Sequence, residues 1–553
     1  MLPPLLTGRK NRAQLILHRK AGYFAEGFAF ALALADRGRL TLRGLMRRGG
    51  EERITTLIYG AGSDGLALLR EVRQKDAPQS DVIGFVDDDP SKARQVLQGK
   101  RVLGCGEELA FLARKYSIQR VLIAIPQATG PQMARILQFA VDAGVEFKMS
   151  PGMGQPLRDV ALEDLLGRKQ VHLDQEGIRS RIQGEVILVT GAAGSIGAEI
   201  CRQIAHFKPK AVIGFDEAET PLFEIERELK QRFPQLAFYA EIGSITHPEA
   251  LHRVMRRYQP SCLFHAAAYK HVPMMEKHVF AAVENNIFGT WNVAQAAVSH
   301  GVRDFVLIST DKAVRPASMM GATKRVAEMV IRALQPESGV RFVTVRFGNV
   351  LGSSGSVVPI FREQIAAGGP VTVTHPEMRR YFMTIPEAAQ LVLQAFSMGR
   401  GGEVLVLDMG EPVKIVDLAR DLILLSGFQP GSDIKIQFTD LRPGEKLFEE
   451  LNLRNEFLAV TSHQQIRSYS SPVCIDAQQM REHLRDLRQI CDDQDVGRLL
   501  MHLKNMIPSY NPSSLLLRRA LSAPSKHAEP ARRRVATEEP EGLLAAEYSP
   551  SIR

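Results

Sequence analysis

The chain lacks most marks of an exported or membrane-spanning protein. Its five cysteines, Cys105, Cys201, Cys262, Cys474 and Cys491, are odd in number, scattered and without metal-ligand spacing. That excludes a disulfide scaffold and a zinc cluster as the organising principle, and the thiols read as reduced and cytosolic. Only one apolar stretch, Ala21 to Ala35, stands in the basic N-terminal segment; it is about fifteen residues long and contains Glu26, short of the roughly twenty that span a bilayer. Arg9, Lys10 and Arg12 precede it in the manner of a signal peptide, but no cleavage site follows. A cytoplasmic protein, at most attached to the inner face of the cell membrane, is expected. With 553 residues, 45% hydrophobic and 24% charged, the chain is long enough for two or three packed domains. The net charge of +9 comes with no recognised nucleic-acid motif, so no nucleic acid partner is expected.

What is present is a strand, glycine turn and helix, twice. Thr55-Thr-Leu-Ile-Tyr59 runs into Gly60-Ala-Gly62-Ser-Asp-Gly65, and further apolar runs at 82–86 and 120–125 alternate with helical segments. Val186-Ile-Leu-Val-Thr190 runs into Gly191-Ala-Ala193-Gly194-Ser195-Ile196-Gly197, followed by helical spacing. Such a turn needs glycine because the backbone bends tightly, approaches a pyrophosphate and packs helix on strand, leaving phosphates at the helix N-terminus. A second strand, Ala211–Phe215, ends at Asp216, nineteen residues past Gly197, where a carboxylate would hold the adenosine ribose hydroxyls. Ala266 and Ala267, at the end of Cys262–Ala268, are small enough for the chain to pass close to a dinucleotide. The expected class is α/β, with two tandem Rossmann-like parallel sheets. The expected divisions are a basic segment 1–54, a first domain 55–152, a charged connector 153–184, a catalytic domain 185–507 and a disordered tail 508–553, where Pro, Ser, Ala, Arg and Glu replace any periodicity.

A third strand, Asp304–Thr310, should deliver Thr310, Asp311 and Lys312 to the carboxyl edge of the second sheet, where ligands sit. Ten residues on, Met320-Gly-Ala-Thr-Lys324 looks like a short-chain dehydrogenase Tyr-x-x-x-Lys pair without its tyrosine. A thioether has no proton to exchange, so either the site is silent or a neighbour carries the acid–base work. Asp311 and Lys312 are the candidates.

Together with His265-Ala-Ala-Ala-Tyr-Lys-His-Val-Pro273, Arg346-Phe-Gly-Asn-Val350, Arg379-Arg-Tyr-Phe-Met-Thr-Ile-Pro386 and Leu441-Arg-Pro-Gly-Glu-Lys-Leu447, these motifs resemble the nucleoside-diphosphate-sugar 4,6-dehydratases of bacterial polysaccharide biosynthesis. The likeness is to the large type with Met in place of Tyr, and runs from about Thr55 to about Tyr469. It implies an extended short-chain dehydrogenase fold with a smaller C-terminal substrate-binding part, and NAD or NADP, NAD favoured, tightly bound and recycled. The implied substrate is a UDP-N-acetylhexosamine, UDP-GlcNAc first, converted to its 4-keto-6-deoxy sugar. The +9 charge then suits anionic lipid or anionic nucleotide-sugars, so peripheral membrane association stays open, and a homo-oligomer is expected.

By the same resemblance Lys324 would hold the nicotinamide ribose and Thr310 the C4 oxygen. Asp311 would take the C4 proton or protonate the leaving hydroxyl, and Lys312, its pKa lowered by burial and by Lys324, would act on C5. Asn349, Arg379, Arg380 and Arg442 lie in segments like the family's nucleotide-sugar loops, with Lys270 and Asn286 facing the sugar or a proton path. No metal is implied. One departure is Ser244 in Gly243-Ser-Ile245, where relatives place Asp near the adenine. Two rival functions remain: a C4 epimerase, which needs no base at C5, and a catalytically silent dinucleotide-binding regulator, which loss of the tyrosine would permit.

Overall fold

A computed structural model describes residues 53–75, 80–152, 155–165, 171–450, 458–469 and 475–522. Ala21 to Ala35, Cys474, all but the last two residues of the basic segment and the part of the expected tail beyond 522 lie outside the described residues. Those described fall into two compact units, one within 1–126 and 142–159, the other within 127–141 and 160–553.

The first unit is built on a six-stranded sheet in the order Val96–Leu97, Lys100–Gly104, Ser80–Val86, Ile54–Tyr59, Arg120–Ile123, Glu146–Met149. All neighbours are parallel except the edge pair Val96–Leu97 and Lys100–Gly104. Ile58, Phe85, Val102 and Leu122 from four of its strands meet Leu68, Leu69 and Val72 of the helix Ser63–Lys75 in one core, as the helix-compatible spacing of those apolar residues requires.

The second unit carries a nine-stranded sheet in the order Leu458–Val460, Ile466–Tyr469, Val404–Leu407, Arg341–Phe347, Asp304–Thr310, Cys262–His265, Val186–Thr190, Ala211–Asp216, Phe238–Ile242. The seven strands from Val404–Leu407 onward are mutually parallel; the other two pair antiparallel. Strand order reverses between Val186–Thr190 and Cys262–His265, which makes the carboxyl ends of these two strands the topological switch point where such sheets hold ligands.

Both faces are covered, and the period-two alternation of the strands divides them. Leu188, Ile213, Phe215, Leu263, Phe305, Leu307 and Phe342 point to one core, shared with the helices Met319–Ser338, Ala477–Asp493 and Val496–Met506. Ile187, Val189, Val212, Phe264, Val306, Val343 and Val345 point to the other, shared with Ser195–Ala205, Glu219–Arg232 and Ile385–Met398. The expected connector is not merely a linker: the helix Gln175–Ile182 buries Ile178 and Ile182 in this second core. Among the described residues no helix is long and apolar enough to cross a membrane.

The expected structureless tail from 508 fails over its first fifteen residues. Tyr510 and Leu516 are wholly buried, and Ser514–Ser522 is a helix. Ser513 donates its hydroxyl proton to the Glu276 carboxylate, the Arg519 guanidinium donates to the Glu276 carbonyl at 2.8 Å, and Asn511 N donates to the Pro316 carbonyl at 2.9 Å. A few well-spaced apolar anchors and local hydrogen bonds suffice here where composition alone reads as disorder.

One helix therefore offers a contrast. Leu516→Ala should destabilise the protein by about 2–5 kcal/mol, the usual cost of emptying a buried leucine site. Leu521→Ala, on the same helix at 87% exposure, should stay within about 0.5 kcal/mol. Denaturant unfolding of the two variants checks this; equal effects would contradict the packing described.

Candidate active site

The glycine turn at the switch point is a cradle that side chains would fill. Gly191 has φ +72, and a Cβ there would lie 2.5 Å from Ala267 N; one on Gly197 would lie 2.0 Å from the Gly191 carbonyl oxygen. The helix Ser195–Ala205 starts from Gly194 as its N-cap. Backbone thus stays bare where a pyrophosphate would approach, with the helix N-terminus behind it. Asp216 holds the turn itself: Oδ2 accepts from Ala193 N and Oδ1 from Ala218 N, both at 2.9 Å. Two bonds leave part of its acceptor capacity for ribose hydroxyls. A cleft of about 230 Å³ is lined by Asp216, Ala193, Ser244, Ile245 and Ala267. It adjoins a larger cleft of about 1230 Å³, above the ~300–1,000 Å³ of a usual single-ligand site. Gly191, Ala193, Gly194, Ser195, Ile196, Gly197 and Ala266 line that larger cleft at one end. These residues fit a dinucleotide. His265, one residue before Ala266, is wholly buried; its Nδ1 meets Thr190 Oγ1 at 2.7 Å and its Nε2 meets Thr290 Oγ1 at 3.0 Å. Burial, and then the Lys324 charge, lower its pKa to about 3, so it is a neutral cross-brace.

The strand Asp304–Thr310 delivers Thr310 and Lys312 to the cleft wall, where Met320 and Lys324 also lie. Met320 and Lys324 stand one turn apart on the helix Met319–Ser338, hence on one face. That helix is capped by Ser318, whose Oγ accepts from Gly321 N at 3.1 Å, and by Glu276, whose Oε1 accepts from Met319 N at 2.7 Å. Lys324 is 5% exposed, and its Nζ donates to the Ile308 carbonyl at 2.7 Å. Burial lowers its pKa to about 8, opposed by Glu328.

Asp311 sits differently from the expectation. It is 1% exposed and outside the cleft wall; Oδ1 accepts from Thr310 Oγ1 at 2.8 Å and from Lys312 Nζ at 3.0 Å, while Oδ2 has no hydrogen-bond partner. Lys312 Nζ also donates to Asn349 Oδ1 at 2.9 Å. The geometry reverses the expected lowering of the Lys312 pKa. Burial does work against the charge, but the Asp311 carboxylate, followed by Glu449, outweighs it and holds Lys312 above the usual lysine range. The depressed amine is Lys324.

Among the residues assigned to substrate, Lys270, Asn349, Arg380 and Arg442 line the large cleft; Asn286 and Arg379 do not. Asn286 is 1% exposed and spends its amide within the protein, Oδ1 accepting from Tyr269 N at 2.8 Å and Nδ2 donating to Tyr269 O at 3.0 Å and Thr323 Oγ1 at 3.0 Å. It therefore fixes the chain just before Lys270. Arg379 and Arg380 are successive residues of one short strand, so their side chains take opposite sides. Arg380 is 7% exposed and donates to the carbonyls of Arg379, Lys446 and Leu447. Arg442 Nη2 donates to Glu445 Oε1 at 2.6 Å.

Several lining residues escape the sequence reading. Ser309 donates to Glu328 Oε1 at 2.6 Å; Ser354 N donates to Oγ of the predicted Ser195 at 3.2 Å; and Glu445 and Glu449 bring carboxylates to the wall. Glu445 lies within the quoted Arg-Pro-Gly-Glu motif, which is the available signal for it. Ser309 lies within the strand Asp304–Thr310 and opens the Ser309-Thr-Asp-Lys-Ala313 motif, while Glu449 stands two residues past Leu447 and carries no pattern of its own.

Residues 187–471 match the family described as polysaccharide biosynthesis protein, and residues 21–151 match one described as a CoA-binding domain. The chain is 49% identical over 410 residues to the probable polysaccharide biosynthesis protein EpsC of Bacillus subtilis, covering 72% of this chain and 68% of that one. It is 47% identical over 417 residues to the capsular polysaccharide biosynthesis protein CapD of Staphylococcus aureus, covering 73% and 69%. It is 32% identical over 268 residues to a UDP-N-acetylglucosamine 4,6-dehydratase (inverting) of Campylobacter jejuni, covering 48% and 76%.

The wall rests on a buried pair. Glu328 Oε1 and Oε2 each accept from Arg346 at 2.7 Å, with side chains 0% and 1% exposed. Burial opposes the Glu328 charge, but Arg346 and then Arg325 hold its pKa down to about 2. Its stabilisation is therefore present above the ordinary carboxylate range and is lost as pH falls through about 2. Glu328→Gln should cost about 3–5 kcal/mol at neutral pH, because a buried guanidinium loses its counter-charge. Denaturant unfolding at pH 7 measures it, and a loss below about 1 kcal/mol would contradict the assignment.

Proposed function

Because the chain belongs to the polysaccharide biosynthesis protein family, we propose that it is a nucleotide-sugar 4,6-dehydratase acting on a UDP-N-acetylhexosamine, UDP-GlcNAc first, with NAD favoured over NADP. The observation that carries this reading is Lys312, held protonated at the wall of the large cleft by Asp311 and Glu449 and oriented by Asn349. An epimerase, which reverses one carbon, has no use for a proton donor at C5 or C6. The relatives include UDP-glucose 4-epimerases at 32–33% identity beside the dehydratase at 32%, so the choice rests on the cleft.

Removing water across C5 and C6 is hard while the C5 proton is not acidic, and a ketone at C4 makes C5 an α-carbon. When bound, a nicotinamide dinucleotide supplies the acceptor of the C4 hydride and its return to C6. It would lie over Gly191 to Gly197, with its ribose hydroxyls toward Asp216 and Lys324. Thr310 would orient the C4 oxygen from the strand end. Lys312 would give its proton to the departing C6 hydroxyl, and Asp311 would act through Lys312 as a positioning residue. Met320 offers only apolar contact. Arg380, Arg442 and Lys270 bring positive charge to the cleft wall for a diphosphate.

Purified protein supplied with UDP-GlcNAc should form a product lighter by one water and accumulate no net NADH. An isomer of unchanged mass would make it an epimerase, and unchanged substrate would make it a silent binder.

Asp311→Asn should also move the alkaline limb of the kcat/KM profile to lower pH, since removing the carboxylate removes the main support of the Lys312 ammonium. A limb that stays in place would show that Lys312 is not the titrating acid.

A further inference from the structure

Two carboxylates line the large cleft among the described residues, Glu445 and Glu449. Glu445 also has a buried oxygen without a partner, Oε2, but its Oε1 is held by the Arg442 guanidinium at 2.6 Å. Glu449 is 8% exposed, its Oε1 lies 3.9 Å from an Arg380 nitrogen that already serves a carbonyl, and its buried Oε2 has no hydrogen-bond partner. A buried carboxylate oxygen without a partner is costly and is worth an explanation at a reaction cleft. It also has a charge partner across the wall, since it helps hold Lys312 protonated. Burial raises its own pKa above the ordinary carboxylate range, against the pull of Lys312, which strengthens it as a base.

The dehydration of a 4-keto sugar needs two proton groups at C5 and C6, and Lys312 fills one place as donor. The other needs a carboxylate that reaches the cleft. Asp311 is buried behind Lys312 and outside the wall. Resting on the dehydratase reading, we propose that Glu449 is the acid–base residue that takes the C5 proton and later returns it.

The step balances. The C5–H bond breaks and its proton goes to Glu449. The electron pair left at C5 becomes the C5–C6 double bond as the C6–O bond breaks, and the hydroxyl leaves as water with the Lys312 proton. Once C6 is reduced, C5 takes a proton back from Glu449; the C4 hydroxyl gives its proton to water in the cleft as its hydride leaves, and Lys312 is reprotonated from that water. No oxidant or reductant beyond the recycled hydride is required.

Glu449→Gln keeps the shape and removes the base, so its dehydration rate should fall about 10²–10⁴-fold, while Kd for UDP-GlcNAc and single-turnover C4 oxidation, read as transient reduced-nicotinamide absorbance, persist. Glu449→Asp should recover part of the rate, because it restores the carboxylate. In deuterated water, exchange of the Glu449 carboxyl proton with solvent before it is returned should place deuterium at C5 of the wild-type product, and under single turnover the Gln variant should show none. A Gln variant that dehydrates at the wild-type rate overturns the proposal while leaving the dehydratase reading intact. Gln and Asp variants that lose C4 oxidation as severely as elimination also overturn it, since the role would then be structural. A wild-type product that is an isomer, not a dehydrated sugar, removes the dehydratase reading and this proposal with it.

Discussion

The buried contact between Glu328 and Arg346 is the constraint on which the site depends. It joins the helix Met319–Ser338 to the strand Arg341–Phe347, and the Glu328 carboxylate also receives Ser309 and Arg325. Against well-packed apolar side chains, such a pair contributes little net stability. What it supplies is registry. Glu328 stands one turn beyond Lys324 and two beyond Met320, on one face of the helix. Moving the helix by a turn would carry Lys324 away from the Ile308 carbonyl and strip a buried guanidinium of its counter-charge at once. Glu276 and Ser318 hold the N-terminal end of the same helix. The position of two cleft residues is thereby over-determined at both ends.

The same helix explains the split between the two lysines. Both are strongly desolvated, yet Lys324 has only a backbone carbonyl in contact and a carboxylate one turn away already committed to Arg346, so burial wins and its pKa falls to about 8. Lys312 has the Asp311 carboxylate in contact and Glu449 nearby, so its charge survives. One amine is thus poised to lose a proton near neutrality and the other to keep it until needed. With methionine at 320, the helix brings Lys324 to the cleft as its titratable group, while Lys312 and Glu449 reach the wall from the strand end and from the segment after Arg442.

Much of this was legible in the sequence, and the misses share a physical cause. The glycine turn and the α/β class could be read because each is set by local rules: bare backbone where chain meets chain, and strands alternating with helices. Residues adjacent in sequence are harder. Arg379 and Arg380 alternate sides of a strand, and Asp311 and Lys312 share one tight 3-10 turn just past a strand end, so the pattern does not say which of each pair faces the cleft. Asn286 suits a substrate role in the sequence because an amide is an apt sugar ligand; burial turns the same donors and acceptors onto the Tyr269 backbone. The segment 508–522 reads as structureless because Pro, Ser and Asn surround Tyr510 and the short leucine run at 515–517 is too brief to show a period, and only the partner surface shows that Tyr510 and Leu516 anchor it. Glu449 stands in a charged stretch where nothing local separates a solvated carboxylate from one buried at a wall.

The first unit shows how little the turn alone determines. Its Gly65 repeats the close approach of Gly197, a Cβ there lying 1.9 Å from the Gly60 carbonyl oxygen, and Asp87 Oδ2 accepts from Ala61 N at 2.7 Å much as Asp216 does from Ala193. The two carboxylates then part company. Asp87 Oδ2 also takes Lys92 Nζ at 3.0 Å in an ion pair, whereas the hydrogen bonds of Asp216 are to two backbone N–H groups. Nor does the strand Arg120–Ile123 end in a proton-carrying cluster; it leads through Ala124 and Ile125 to Pro126, and the space a Gly60 side chain would take is filled by Ala124 and Ile125. Shared geometry of the turn follows from the steric demands of joining strand to helix. Chemistry enters only where the neighbouring strand ends place groups that can hold a charge, and in this chain that happens at the edge carrying Thr310 and Lys312.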